Sequence, residues 1–149
     1  MANVLVVYGS TTGNTETVAD MIGKVLSDGG HNVTQLDAAK ADPANLCSGR
    51  DCVLFGCSTW GQDSIELQDD FVPLYEAFDK IGAKGVKTAA FGCGDTSYEY
   101  YCGAVDAINE RLEELGASVI AEGLKIDGDP GSAKSEIEAW AKAVMAQLP

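Results

Sequence analysis

Residues 4–26 read VLVVYGSTTGNTETVADMIGKVL, passing from a hydrophobic run through small polar residues into a helical pattern. Val4 to Tyr8 is continuously aliphatic or aromatic, as expected of a strand buried on both faces. Val18, Ile22, Val25 and Leu26 share one face of a helix, and Gly29-Gly30 supplies its stop. The turn between them, Gly9-Ser10-Thr11-Thr12-Gly13-Asn14-Thr15, has the composition of a phosphate cradle but contains no Lys or Arg. A strand feeding a helix through such a turn predicts an α/β fold. It also raises the question of how a phosphate is held without a cation.

The alternation continues along the chain. His31 to Leu36 is more polar and reads as an edge strand, with His31 at its start and no catalytic role for that imidazole. Asp51 to Cys57 is a strong strand, followed by a helix carrying Leu67, Phe71, Leu74 and Phe78. Lys87 to Cys93 is another strand, leading to a helix with Val105, Ile108, Leu112 and Leu115 on one side and Gly116 at its end. Ser118 to Ile126 reads as a last strand interrupted near Glu122-Gly123, and Ile137, Trp140, Ala141, Val144 and Leu148 mark a final helix. Five strands separated by helices imply an α/β fold with a parallel sheet covered on both faces and right-handed crossovers. No repeat or linker divides the chain, so residues 1–149 are expected to form one domain.

Composition excludes several functions. The formal net charge is −13 and the acids are spread over the whole chain, which disfavours nucleic acid and anionic membranes as partners. The apolar runs are far shorter than the roughly 20 residues of a membrane helix, and no signal-peptide pattern opens the chain. A soluble, cytoplasmic protein is the expectation. Five cysteines and one histidine include no CxxC pair, so no metal site is expected. The thiols read as reduced, packed small hydrophobes.

In open parallel sheets ligands bind beyond the carboxyl ends of the strands. GSTTGNT, STWGQDS and GDTSYEYYCG follow the first, third and fourth strands, so all three belong to one rim. The first loop enters a helix N-terminus, where backbone N–H groups lack helical partners. Ser10, Thr12 and Thr15 add hydroxyls and Asn14 an amide. Hydrogen bonds to a charged acceptor contribute about 1.5–3 kcal/mol each, against about 0.3–2 kcal/mol for the helix dipole. Donor number therefore outweighs formal charge. An ordinary capped turn is the plainer alternative, but four hydroxyl residues exceed what a cap needs. A nucleoside triphosphatase is disfavoured because Gly13-Asn14-Thr15 lacks the Walker lysine. The dinucleotide fingerprint, the thiol and Arg of a cysteine phosphatase and the early carboxylates of a receiver domain are also missing. A terminal monophosphate, held and not transferred, remains. Trp60 in the second loop and Tyr98 in the third are candidates to sandwich a flat heteroaromatic ring, the plainer alternative being core or surface aromatics.

GSTTGNT at 9–15, CSTWG at 57–61 and FGCGDTSYEYYCGAVD at 91–106 resemble the flavodoxins, in particular the short-chain type of sulfate-reducing bacteria, over essentially the whole chain. The resemblance implies a flavodoxin-like three-layer sandwich of strand order 2-1-3-4-5 and one noncovalent FMN. It also implies an electron carrier with no substrate turnover and no catalytic residues of its own. Ser10, Thr11, Thr12, Gly13, Asn14 and Thr15 would hold the phosphate, and Ser58 and Thr59 would line the cofactor. Trp60 would cover the inner face of the ring and Tyr98 the outer one. Backbone groups of Gly94, Asp95, Tyr100 and Cys102 would contact its pyrimidine edge, and Cys93 would also belong to the cofactor site. The Gly61-Gln62 peptide would turn its carbonyl toward flavin N5–H on one-electron reduction. Gln62 is neutral where relatives are commonly acidic or small, and Thr96 and Tyr101 stand where Ser and Phe are expected.

A protein shifts a potential by binding one oxidation state better than another, with about 59 mV for each tenfold ratio. One hydrogen bond gained only in the semiquinone has that size. Asp63, Glu66, Asp69, Asp70, Asp95, Glu99, Asp127 and Asp129 are the candidates to oppose the negative charge of the hydroquinone, with plain solvation of the rim as the alternative. Each contributes roughly 0.4 kcal/mol at about 10 Å in water-like dielectric. The expectation is a low-potential carrier cycling between semiquinone and hydroquinone. As a monomer it would meet basic-patched redox proteins transiently through its acidic rim. A flavodoxin-fold reductase enzyme and a non-redox phosphate-binding domain are the alternatives.

Overall fold

The computed structural model describes residues 2–9, 13–60, 66–67, 70–94, 103–127 and 130–148, with the side chains at 59, 60 and 66 excepted. The opening hydrophobic run forms β1 (Asn3–Gly9), and the periodic stretch after it forms α1 (Asn14–Asp28). Next come β2 (Asn32–Asp37), β3 (Cys52–Cys57), a two-residue hairpin of β4 (Thr59–Trp60) and β5 (Glu66–Leu67), and α2 (Val72–Glu76). The chain continues as β6 (Lys87–Gly94), α3 (Gly103–Glu114), β7 (Ser118–Val119), β8 (Leu124–Asp127) and α4 (Lys134–Met145). The main sheet has the order β2-β1-β3-β6, with β7 and β8 both pairing with β6, and all its ladders are parallel. The interrupted last strand counts once, which gives the 2-1-3-4-5 order.

Two apolar layers explain why the strand runs are continuous instead of alternating. Leu5, Val7, Val53, Phe55 and Ala90 pack on one face against Phe71, Phe78 and the Val105–Ile108–Leu112 stripe of α3. Their sequence neighbours Val4, Val6, Cys52, Leu54, Ala89 and Phe91 pack on the other face against Val18, Ile22 and Leu26 of α1 and Ile137, Ala141 and Val144 of α4. Successive strand side chains point to opposite faces, so a strand covered on both sides is apolar at every position. The polar strand beginning near His31 lies at the sheet edge as its composition predicts, and His31 Nδ1 accepts a 3.0 Å hydrogen bond from the Ala2 amide.

Both helix stops read from glycine are Schellman turns. Gly30 and Gly116 take φ of 92° and 84°. The next amides, of His31 and Ala117, donate back to the carbonyls of Leu26 and Leu112 at 3.1 and 3.0 Å, as that motif requires. The break in the last strand is fastened by Trp140. Its Nε1 donates to the Glu122 carbonyl at 2.7 Å, and its ring meets Phe91 edge-on at a centroid distance of 6.1 Å.

The second predicted helix is corrected. Leu67 does not share a helix with Phe71, Leu74 and Phe78, because it lies in β5, paired with Thr59, and α2 spans only Val72–Glu76. Pro73 is the cause. It has no N–H, and inside a longer helix its ring would collide with the carbonyl four residues back, so it is tolerated only in the first turn. Phe78 then continues in a short 3₁₀ turn, Phe78–Lys80.

Candidate functional site

The switch point lies at the carboxyl ends of β1 and β3, from which the connections leave toward opposite sides of the sheet. The parallel pairing of the two strands runs to Gly9 and Cys57, and the Ser58 amide then donates to the Gly9 carbonyl at 3.4 Å. The first and second loops therefore start side by side. α1 enters the rim through Gly13, whose φ of 91° and ψ of −6° lie in the left-handed region that favours glycine. The Gly13 carbonyl accepts from both the amide and the hydroxyl of Thr17, each at 2.9 Å.

Beneath this turn three polar groups from three elements meet. Thr15, in the first turn of α1, is fully buried, and Ser58, just past β3, is 5% exposed. Their hydroxyl oxygens lie 2.7 Å apart. Cys93 on β6 is also buried and interacts with the Thr15 hydroxyl. Burial pushes its thiol up to about 11, with the Thr15 hydrogen bond pulling the other way. Among the described residues two hydroxyls and a protonated thiol meet through two contacts, and each hydroxyl can both donate and accept. A desolvated donor seeks an acceptor, and an oxyanion at a helix N-terminus is the matching ligand.

The field at this rim is negative. Tyr8, the last side chain of β1 before the turn, has its phenol raised by burial first and then by Glu16, Asp37 and Asp20. Gly94 closes β6 in register with Asp127 of β8, so the third loop leaves beside an exposed carboxylate. Asp70 is exposed as well.

Of the residues expected to bind a cofactor, Gly13, Asn14, Thr15, Ser58, Cys93 and Gly94 are gathered at this rim. Thr59 and Trp60 form β4 directly after Ser58. Ser10, Thr11, Thr12, Gly61, Gln62, Asp95, Tyr98, Tyr100 and Cys102 lie outside the described residues, as do Asp63, Asp69, Glu99 and Asp129. Two participants were missed by sequence reasoning. The Gly9 carbonyl anchors Ser58, and the Cys57 thiol donates to the Ser58 carbonyl at 3.3 Å. Both open a motif, GSTTGNT and CSTWG, but as residues that end a strand and not as binding residues.

Cys47, Cys52, Cys57 and Cys93 are buried thiols. Burial pushes the Cys47 and Cys52 thiols up to about 11 and about 12. A thiol at 11 is about one-thousandth thiolate at pH 8, and only thiolate reacts. At that pH a disulfide reagent should modify Cys47, Cys52 and Cys93 at least about 100-fold more slowly in the folded protein than in denaturant, as read by peptide mapping. Among the described residues no group of His, Cys, Asp and Glu is placed to hold a metal ion, and no helix is long and apolar enough to cross a membrane.

A doubly wound parallel sheet with buried hydroxyls beside a helix N-terminus at its switch point has the form of an α/β protein for a phosphate-bearing ligand. The flavodoxin family model matches residues 6–140. A flavodoxin of Nitratidesulfovibrio vulgaris (strain DSM 19637 / Miyazaki F) is 57% identical over 99% of this chain and 100% of its own. One of Maridesulfovibrio salexigens is 50% identical over 97% of each. The crystal structure of oxidised flavodoxin 1 from Bacillus cereus superposes with a TM-score of 0.90 at 31% identity, covering 99% of this chain and 100% of the other. The chain belongs to the flavodoxin family, whose members bind FMN and carry electrons between redox proteins without being enzymes. The buried donors of Thr15 and Ser58 at the α1 N-terminus suit the monophosphate of that cofactor.

Proposed function

We propose that residues 1–149 form one FMN-binding domain that works as a low-potential, one-electron carrier, cycling between the one-electron-reduced and fully reduced cofactor. The buried Thr15–Ser58 hydroxyl pair under the switch-point turn is the observation that carries this reading. FMN supplies the redox chemistry when bound, and the chain holds it and biases its states. Ser10 to Thr15 and Ser58 hold the phosphate through directed donors. Thr59, Trp60 and Tyr98 enclose the ring, while Cys93, Gly94, Asp95, Tyr100 and Cys102 border its edge. The Gly61 carbonyl would accept a hydrogen bond from the flavin on one-electron reduction, and neutral Gln62 would add no charge to that peptide.

The sign of the rim field supports a low second potential. Glu16, Asp37 and Asp20 already disfavour a negative charge on Tyr8, and the same sign disfavours an anionic ring nearby. Asp70 and Asp127 are exposed on the same rim, and the chain as a whole carries −13. Such a surface steers basic-patched redox proteins into brief encounters with a cytoplasmic monomer. Stepwise reduction followed by absorption should resolve two one-electron stages, the second below that of free FMN. A second potential at or above the free value removes the low-potential reading. Steady NAD(P)H oxidation by the isolated protein would point to a reductase instead. Electron transfer to a small basic cytochrome should slow by about tenfold or more between 10 and 200 mM salt.

A further inference from the structure

A groove of about 250 Å³ lies where the connection after β2 meets the start of α2, walled by Ala38, Ala39, Ala41 and Pro43 and by Pro73 and Leu74, with Asp70 as the one charged lining residue among those described. Its floor is firm, since Ala38 and Leu74 are buried in the core layer that holds Phe55 and Phe78. Its walls are short alanines and prolines, none of which is long enough to fold over and fill it. Ala39, Asp70 and Pro73 are exposed.

The charge around the groove is ordered. Asp37 accepts from the Ala39 amide at 2.9 Å and Asp42 from the Ala44 amide at 3.0 Å, which fixes two carboxylates on the connection that forms one wall. Lys40 is the one cation between residues 37 and 43. An apolar trough with a carboxylate in its lining and two more beside it matches one kind of side chain, an alkyl stem ending in a cation. A second copy of this chain, at −13, is repelled from such a place.

We propose that the groove receives a lysine or arginine of the basic redox partner, its stem along the alanine and proline walls and its cation on Asp70. This rests on the carrier reading above and adds a fixed seat to an otherwise diffuse acidic rim. Asp70 lies three residues beyond Leu67, whose partner in the hairpin is Thr59 of the second loop. A partner seated here is therefore held beside the loop that follows β3.

The test uses the FMN-loaded protein, chemically reduced, mixed in a stopped-flow instrument with an oxidised small basic c-type cytochrome as probe. Rates are compared at equal driving force, with potentials measured for every variant. Ala39→Phe fills the groove without changing charge and should slow transfer about tenfold, the weight of one charge-assisted contact. Asp70→Asn should slow it comparably and flatten the salt dependence more than Asp28→Asn, an equal charge change at the far end of α1. Parent-like transfer by Ala39→Phe, or identical behaviour of Asp70→Asn and Asp28→Asn, overturns the groove assignment. Failure of the carrier reading looks different, because the parent itself then takes up no FMN or passes no electron to the cytochrome. Should Ala39→Phe fold poorly, Ala39→Leu in the same assay decides the question.

Discussion

Thr15→Val should raise the FMN dissociation constant of the apo-protein by roughly 10- to 100-fold while leaving that of riboflavin within about threefold. The substitution keeps the branched shape of a fully buried side chain and deletes only its hydroxyl. Two losses follow. On the proposed reading one donor to the phosphate disappears, worth about 1.5–3 kcal/mol when the acceptor is charged. The Ser58 hydroxyl also loses its 2.7 Å partner in a site only 5% exposed, and a buried hydroxyl short of a partner costs about 1–3 kcal/mol. The second loss is felt with or without a phosphate, so it appears as lower stability of the apo-protein. The first is felt only by FMN. Fluorescence-quenching titrations of both flavins separate the two. Equal weakening for FMN and riboflavin would show that Thr15 braces the loop without addressing the phosphate. Ser58→Ala should give the same selectivity, and the double variant should fall short of the sum, because the two hydroxyls share one bond.

Architecture was more legible in the sequence than the site, for a physical reason. Val4 to Tyr8, Cys52 to Cys57 and Lys87 to Cys93 are buried on both faces, and double burial writes itself into every position of a strand. The Gly30 and Gly116 stops were readable because a left-handed turn accepts few other residues. The failure at α2 came from weighing the spacing of Leu67, Phe71, Leu74 and Phe78 above Pro73. All four side chains do pack against the same core layer, yet Leu67 reaches it from a strand. Apolar spacing reports which face is buried, and backbone chemistry decides the element. At the site, hydroxyl and glycine content pointed to the rim where Gly13, Thr15 and Ser58 lie, and the resemblance supplied the residue roles. The joining of Thr15, Ser58 and Cys93 was not readable, since it depends on a helix start and two strand ends brought together over 43 residues between Thr15 and Ser58 and onward to β6. The Gly9 carbonyl that holds Ser58 is a backbone group and leaves no mark in a side-chain pattern.

Gly92→Ala should lower the stability of the apo-protein by about 3 kcal/mol, at the upper end of what an added methyl costs in a packed interior, and reduce Tm by roughly 10 °C. A Cβ on Gly92 would stand well inside contact distance of the Cys57 carbonyl oxygen and 3.0 Å from Val105 Cγ2. The first of these is backbone in the neighbouring strand, so relief requires β3 and β6 to part where the second loop begins. Gly56→Ala is the instructive comparison. Its Cβ meets the Phe91 ring instead, a side chain that can tilt against Trp140, and the expected cost is smaller, about 1–2 kcal/mol. The two variants add the same methyl to adjacent central strands, so a difference between them measures what a rigid neighbour adds. The displacement at Gly92 also reaches the site, since Cys57 leads directly to Ser58, whose hydroxyl faces Thr15 and whose carbonyl accepts from the Cys57 thiol. Weakened binding of FMN should therefore accompany the stability loss in Gly92→Ala but not in Gly56→Ala. Thermal melts of both apo-proteins, read beside FMN titrations, decide the matter. Equal melting losses in the two, or undiminished FMN affinity in Gly92→Ala, would mean that the β3–β6 rim yields more easily than its backbone contact implies.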